Sequence, residues 1–144
     1  MRLAVRAVIV VDGRLLLVNA WPGQQSDLWC APGGGVEPHA SLPDNLAREV
    51  REETGLHVAV EAPCLVNEFH APEKAFHQVE VFFRCRILEG QTSQTWEDPE
   101  GIVNRFCWVT LEEAQALHLR PLSLPDVAFG KAHFAYDALE RLTK

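Results

Sequence analysis

Residues 34–56, GGVEPHASLPDNLAREVREETGL, constrain this chain more tightly than any other stretch. They specify a helix whose two ends are both marked. Ser41 and Asp44 are expected to form a capping box, Pro43 is tolerated in a first turn, and Gly55 supplies the left-handed residue that closes a helix. The spacing therefore predicts a helix over 42–54. At 3.6 residues per turn, Leu46, Val50 and Thr54 share one stripe, and Glu49, Glu52 and Glu53 fall within an arc of about 100° beside it. One side is built to pack, and its neighbour gathers three carboxylates. Upstream, Pro32-Gly33-Gly34-Gly35 is expected to form a loop that allows close backbone approach.

Three carboxylates on one helical stripe repel each other by a few tenths of a kcal/mol per pair when solvated. A hard divalent cation such as Mg²⁺ reverses that sign, because it seeks clustered carboxylate oxygens. A charged stripe alone is ordinarily a solvated face. Its placement behind a glycine run is what points to phosphate and metal chemistry.

The stretch resembles the Nudix hydrolase family, whose box reads G-x5-E-x7-R-E-U-x-E-E-x-G-U with U apolar. Gly34 begins it here, and Arg48, Glu49, Val50, Glu52, Glu53, Gly55 and Leu56 follow at the required spacing. The preceding WCAPGG is similar to that family's approach to the box. The resemblance implies an α/β fold, a mixed sheet packed between helices as an α/β/α sandwich. It also implies metal ligands at Glu49, Glu52 and Glu53, with the carbonyl of Gly33 or Gly34 adding an oxygen. Mg²⁺ is the expected cofactor, with Mn²⁺ admissible. One position departs: Ala40 stands where the box has its first glutamate, and His39 where the family often has glycine. In the family that glutamate is usually a supporting residue of the loop-helix motif and sometimes a metal ligand, while the helical glutamates do the main binding. Asn45, four residues before Glu49, and Glu37 in the loop are the nearby groups whose oxygens are candidates to compensate.

At 144 residues with a formal charge of −7, the chain is expected to be one domain, spanning 1–144. The acidic balance argues against a broad nucleic-acid footprint, which needs a basic patch. Cys30, Cys64, Cys85 and Cys107 show no metal-type spacing and sit among apolar residues, so buried free thiols are expected. No run approaches 18 apolar residues, and MRLAVRAVIVV reads as a strand, not a signal peptide. A cytoplasmic setting without membrane partners follows as the default, and self-association to a homodimer is left open.

Along the chain, 3–11 and 14–19 read as strands joined by an Asp12-Gly13 hairpin turn. Leu28–Ala31 reads as a short strand, and 57–69 and 77–88 as long extended segments around a loop at Pro72. Arg105–Val109 reads as a strand followed by a helix at 110–118, with Thr110 as N-cap and Glu113 completing its box. Residues 119–125 read as a proline-punctuated linker. A terminal helix is expected at about 126–142, from the spacing of Ala128, Ala132, Ala135, Leu139 and Leu142.

Hydrolysis of a phosphoanhydride needs neutralised phosphate charge and a positioned water. Arg48 precedes Glu52 by four residues and is read as orienting a ligand carboxylate. Glu53 is one candidate general base, and the resemblance suggests a late-loop glutamate as another, with Glu97 and Glu100 in the right region. For the organic part of a substrate, Trp21, Phe69 and His70 are candidate stacking residues and Asn19 a candidate hydrogen-bond donor. Some ADP-ribose-hydrolysing members of the family resemble this chain in having a proline at the position of Pro72. The expected activity is hydrolysis of a nucleoside diphosphate linked to another moiety. Nucleotide sugars, ADP-ribose and (deoxy)nucleoside triphosphates all fall within that class. The competing expectation, motivated by Ala40, is a nucleotide-sensing module that does not turn its ligand over.

Overall fold

The computed structural model describes residues 1–19, 27–92, 105–130 and 133–138. Strands β1 (Arg2–Val11) and β2 (Arg14–Asn19) form the expected hairpin. Asp12 and Gly13 both take positive φ, 51° and 75°, as a two-residue turn matched to strand twist requires. The chain continues through β3 (Gly33–Gly35), α1 (Leu42–Thr54), β4 (His57–Ala71), a single turn at Pro72–Lys74, and β5 (Phe76–Glu89). Then follow β6 (Arg105–Val109), α2 (Leu111–Ala116), α3 (Leu124–Ala128) and β7 (Ala135–Ala138).

These strands make one mixed sheet in the order β6-β2-β1-β5-β4-β7, with β3 also paired to β1. Strand β1 is its hub. It runs parallel to β5 along residues 2–9 and antiparallel to β3 at Ala4–Arg6. Each face of the sheet carries its own core. Val5, Ala7, Ile9, Leu16 and Phe83 pack with Leu46 and Val50 of α1 on one side. Val8, Leu15, Leu17, Leu65 and Phe82 pack with Ala114 of α2 and Leu124 and Val127 of α3 on the other. Helices therefore cover both faces, the layered α/β arrangement expected from the sequence.

Four expectations are corrected. The glycine run is a strand at Gly33–Gly35 and not a loop, because three residues without side chains can lie flat against β1. At Gly33, φ is 153° and a Cβ would sit 2.0 Å from the Val5 carbonyl oxygen, so no other residue fits. The short strand expected at Leu28–Ala31 shrinks to two isolated bridges, Cys30 to Val18 and Trp29 to Leu119. Helix α2 stops at Ala116, with Leu117 already extended, although its Thr110–Glu113 capping box is fully formed.

The largest correction is at the C-terminal end. Among the described residues of 126–138 the expected long helix is not formed: α3 ends at Ala128, Gly130 turns the chain at φ 84°, and β7 pairs in parallel with Leu65–Glu68 of β4. Alanine spacing suits a helix, but the exposed edge of β4 offers unpaired backbone groups, and pairing them outweighs local propensity. Ala132, Leu139 and Leu142 lie outside the described residues.

Cys64 and Cys85 are buried, Cys30 and Cys107 half-buried, and all four are free thiols. Burial pushes the Cys85 thiol up to about 12 and the Cys107 thiol to about 11, so neither is a nucleophile at neutral pH. Among the described residues, no helix is long and apolar enough to cross a membrane.

Candidate active site

Helix α1 begins at Ser41, whose hydroxyl accepts the Asp44 N–H at 3.1 Å, and ends at Gly55 in the left-handed conformation, φ 78°. Its caps fix the register of everything between them. Leu46, Val50 and Thr54 are fully buried. That orientation turns the neighbouring stripe toward β3. Glu53 is 6% exposed, and the Gly33 N–H donates to both of its carboxylate oxygens at 3.3 Å. Glu49 lies against Gly34 so closely that a Cβ there would fall 2.8 Å from its carboxylate. Gly34 thus makes the space that Glu49 fills.

Arg48 binds the rest of the stripe. Its Nη1 lies 3.4 Å from both Glu49 and Glu52, and its Nη2 lies 3.8 Å from Glu37. Partial burial alone would lower its pKa, but attraction to Glu49, then Glu37 and Glu52, raises it above the ordinary arginine value. Arg48 is a permanent cation held among three carboxylates.

Asn45 is fully buried and faces the 37–41 loop. Its amide donates to the carbonyls of Glu37, Ala40 and Ser41 at 3.2, 3.1 and 2.9 Å. Its Oδ1 accepts from the Glu37 N–H at 2.9 Å and from Arg48 Nη2 at 3.2 Å. In this structure that oxygen is engaged by the loop and by Arg48.

On the other side of β3 lies a second charged system that sequence reasoning missed. Arg6 of β1 donates to Glu80 of β5 at 2.6 Å and to the Ala31 carbonyl at 3.1 Å. Burial works against the guanidinium's charge, but Glu80, aided by Glu53, raises its pKa further. Asn67 and Gln78 are also buried; Asn67 donates to the Asp137 carbonyl at 3.1 Å, and Gln78 accepts from Arg2. The available signal was a charged residue inside an apolar strand on both partners, VRAV and VEVF.

The candidate substrate residues separate. Asn19 is fully buried and donates to the Leu28 carbonyl at 3.2 Å. Phe69 is buried against Phe76, ring centroids 5.8 Å apart. His70 is adjacent in the strand and so faces the opposite side, beside His77 at 5.3 Å. The two rings do not make one stacking surface. Trp21, Glu97 and Glu100 lie outside the described residues.

Among the described residues, no three His, Cys, Asp or Glu side chains converge closely enough to bracket a cation as they stand. Glu49 and Glu52 point to Arg48, and Glu53 to the Gly33 amide. The donor chemistry nevertheless fits a hard divalent ion: carboxylates from successive turns, beside a strand whose missing side chain at Gly34 leaves them room.

Comparison with known proteins bears on the family and the fold. The NUDIX domain family model matches residues 1–128. The chain is 34% identical over 130 residues to the CTP pyrophosphohydrolase of Escherichia coli, covering 84% of each. It is 27% identical over 126 residues to mouse nucleoside diphosphate-linked moiety X motif 6, covering 81% of this chain but only 37% of that one. In structure it is similar to a NUDIX hydrolase from Nitrosomonas europaea, TM-score 0.77, covering 92% of this chain and 91% of the other. At 20% identity, that likeness speaks to the fold.

Proposed function

The chain belongs to the NUDIX family, and from that membership we propose that it is a Mg²⁺-dependent pyrophosphohydrolase. Its substrate is a nucleoside diphosphate linked to another moiety, with water attacking phosphorus. The observation that carries this reading is the meeting of α1 with β3, where Glu49 and Glu53 lie against the backbone of Gly34 and Gly33. The products are a nucleoside monophosphate and phosphate, pyrophosphate or a phosphorylated leaving group.

A bound divalent cation supplies charge neutralisation for the diphosphate and a more acidic water. Glu49, Glu52 and Glu53 are the residues that would hold it. Arg48 orients Glu49 and Glu52. Glu53, seated on the Gly33 amide, is also placed to accept a proton, a role for which Glu97 and Glu100 are the other candidates. Within the substrate class, similarity to a CTP pyrophosphohydrolase supports the nucleoside triphosphate branch.

The test is a substrate panel. Nucleoside triphosphates, nucleotide sugars and ADP-ribose are incubated with the protein and Mg²⁺, and released monophosphate is measured. Mg²⁺-dependent release from at least one member is expected. Tight binding without release from any would leave a nucleotide-sensing module as the correct reading.

A further inference from the structure

The box position that carries a glutamate in the family carries Ala40 here, exposed and without a functional side chain. A loop that must present Glu37 and hold Arg48 therefore lacks the carboxylate that would tie it down. Five residues later, a fully buried amide occupies the first turn of α1 and uses both its ends. The Asn45 NH₂ reaches the three carbonyls at 37, 40 and 41, so the whole loop closes on one group. Its Oδ1 holds one corner of the Arg48 guanidinium, leaving Nη1 to Glu49 and Glu52. An apolar residue of similar size would take that side-chain bond from the carbonyls of Glu37 and Ala40 and from the Glu37 N–H, while the Ser41 carbonyl would keep its helical bond from the residue 45 N–H.

We infer that Asn45 is a positioning residue that takes over the supporting role left vacant by Ala40: it locks the 37–41 loop and fixes Arg48 so that Glu49 and Glu52 are presented as ligands. Asn45 itself touches neither metal nor substrate. The inference rests on the hydrolase reading for its effect on turnover, but its structural half stands alone.

The discriminating experiment is a swap. Asn45→Ala, Ala40→Glu and the double variant are compared with wild type for kcat, KM and Mn²⁺ affinity by electron paramagnetic resonance. Exchange of the Glu37 amide proton is followed by NMR. Asn45→Ala is expected to lower kcat about tenfold or more, a loss of order 1.4 kcal/mol, with KM moving much less. It should also weaken Mn²⁺ binding and expose the Glu37 amide. Ala40→Glu alone should be near neutral, and added to Asn45→Ala it should restore most of the loss. A merely structural role would not give rescue from position 40. Asn45→Asp, which keeps Oδ1 but not the NH₂ donors, serves if the alanine variant does not fold: it should retain Arg48 in place yet loosen the loop.

An active, folded Asn45→Ala protein with unchanged kcat and Mn²⁺ affinity overturns the inference and leaves the hydrolase reading intact. A wild-type protein inactive on the whole panel overturns the hydrolase reading instead. Mn²⁺ affinity and Glu37 exchange then decide the inference alone, and their indifference to Asn45→Ala overturns it too.

Discussion

Two arginine–carboxylate systems flank β3, and they differ in what surrounds them. Arg6 and Glu80 have side chains 18% and 9% exposed, on neighbouring strands, with a single short contact of 2.6 Å. Arg48 is 33% exposed, sits on a helix, and spreads contacts of 3.4–3.8 Å over Glu37, Glu49 and Glu52. The Arg6–Glu80 pair closes on one short contact, and Glu80 is buried, so breaking it is costly and it acts as a fixed strut. The Arg48 set exchanges partners more cheaply, because its contacts are longer and shared, and Glu37 and Glu52 are partly solvated. A metal site benefits from the second kind. On the proposed reading, Glu49 and Glu52 would leave Arg48 for a cation and return.

The largest effect that would break this comparison is on stability. Arg6→Met should cost about 3–5 kcal/mol, because it strands the Glu80 charge in the sheet. Adding Glu80→Met should recover most of that loss in urea denaturation. If the single variant is as stable as wild type, the strut is not one.

Next come the α1 carboxylates. Glu52→Gln and Glu53→Gln should each lower kcat at least about a hundredfold, the scale of a lost electrostatic contact at a reacting centre, while thermal unfolding changes little. Removing a like-charge neighbour relieves repulsion in the metal-free helix. Wild-type turnover in excess chelator would remove the metal from the account.

A smaller effect concerns substrate recognition. Trp21→Ala should raise KM for the best nucleotide roughly ten- to hundredfold, from a base–aromatic stack of about 1–3 kcal/mol, with kcat nearly unchanged. A loss of stability in its place would mean that Trp21 packs in the core. The smallest effect belongs to Arg48. Arg48→Ala should change stability by at most about 1 kcal/mol, as partly exposed pairs do, in contrast to Arg6. A destabilisation matching that of Arg6→Met would erase the distinction.

What was legible in the sequence follows the range of the interactions. Helix α1 was readable to its end residues because Ser41, Pro43 and Gly55 act within a turn of the positions they fix. The β1–β2 hairpin was readable for the same reason. The Arg6–Glu80 pair spans 74 residues and only exists once β1 and β5 lie side by side. β7 was misread because the deciding partner, the edge of β4, is invisible to a local alanine pattern. In the site, the spacing of Glu49, Glu52 and Glu53 showed one stripe but not that Arg48 holds two of them while Gly33 holds the third. The glycines showed room without showing that β1 flattens them into a strand.

Cation binding by the isolated protein tests the central claim most directly. Titrating Mn²⁺ by electron paramagnetic resonance into wild type, Glu52→Gln and Glu80→Gln separates the two flanks of β3 without needing a substrate. The account predicts binding by wild type, at least about tenfold weaker binding by Glu52→Gln, the equivalent of 1.4 kcal/mol, and little change for folded Glu80→Gln. Equal affinity in wild type and Glu52→Gln, or a loss confined to Glu80→Gln, would contradict it.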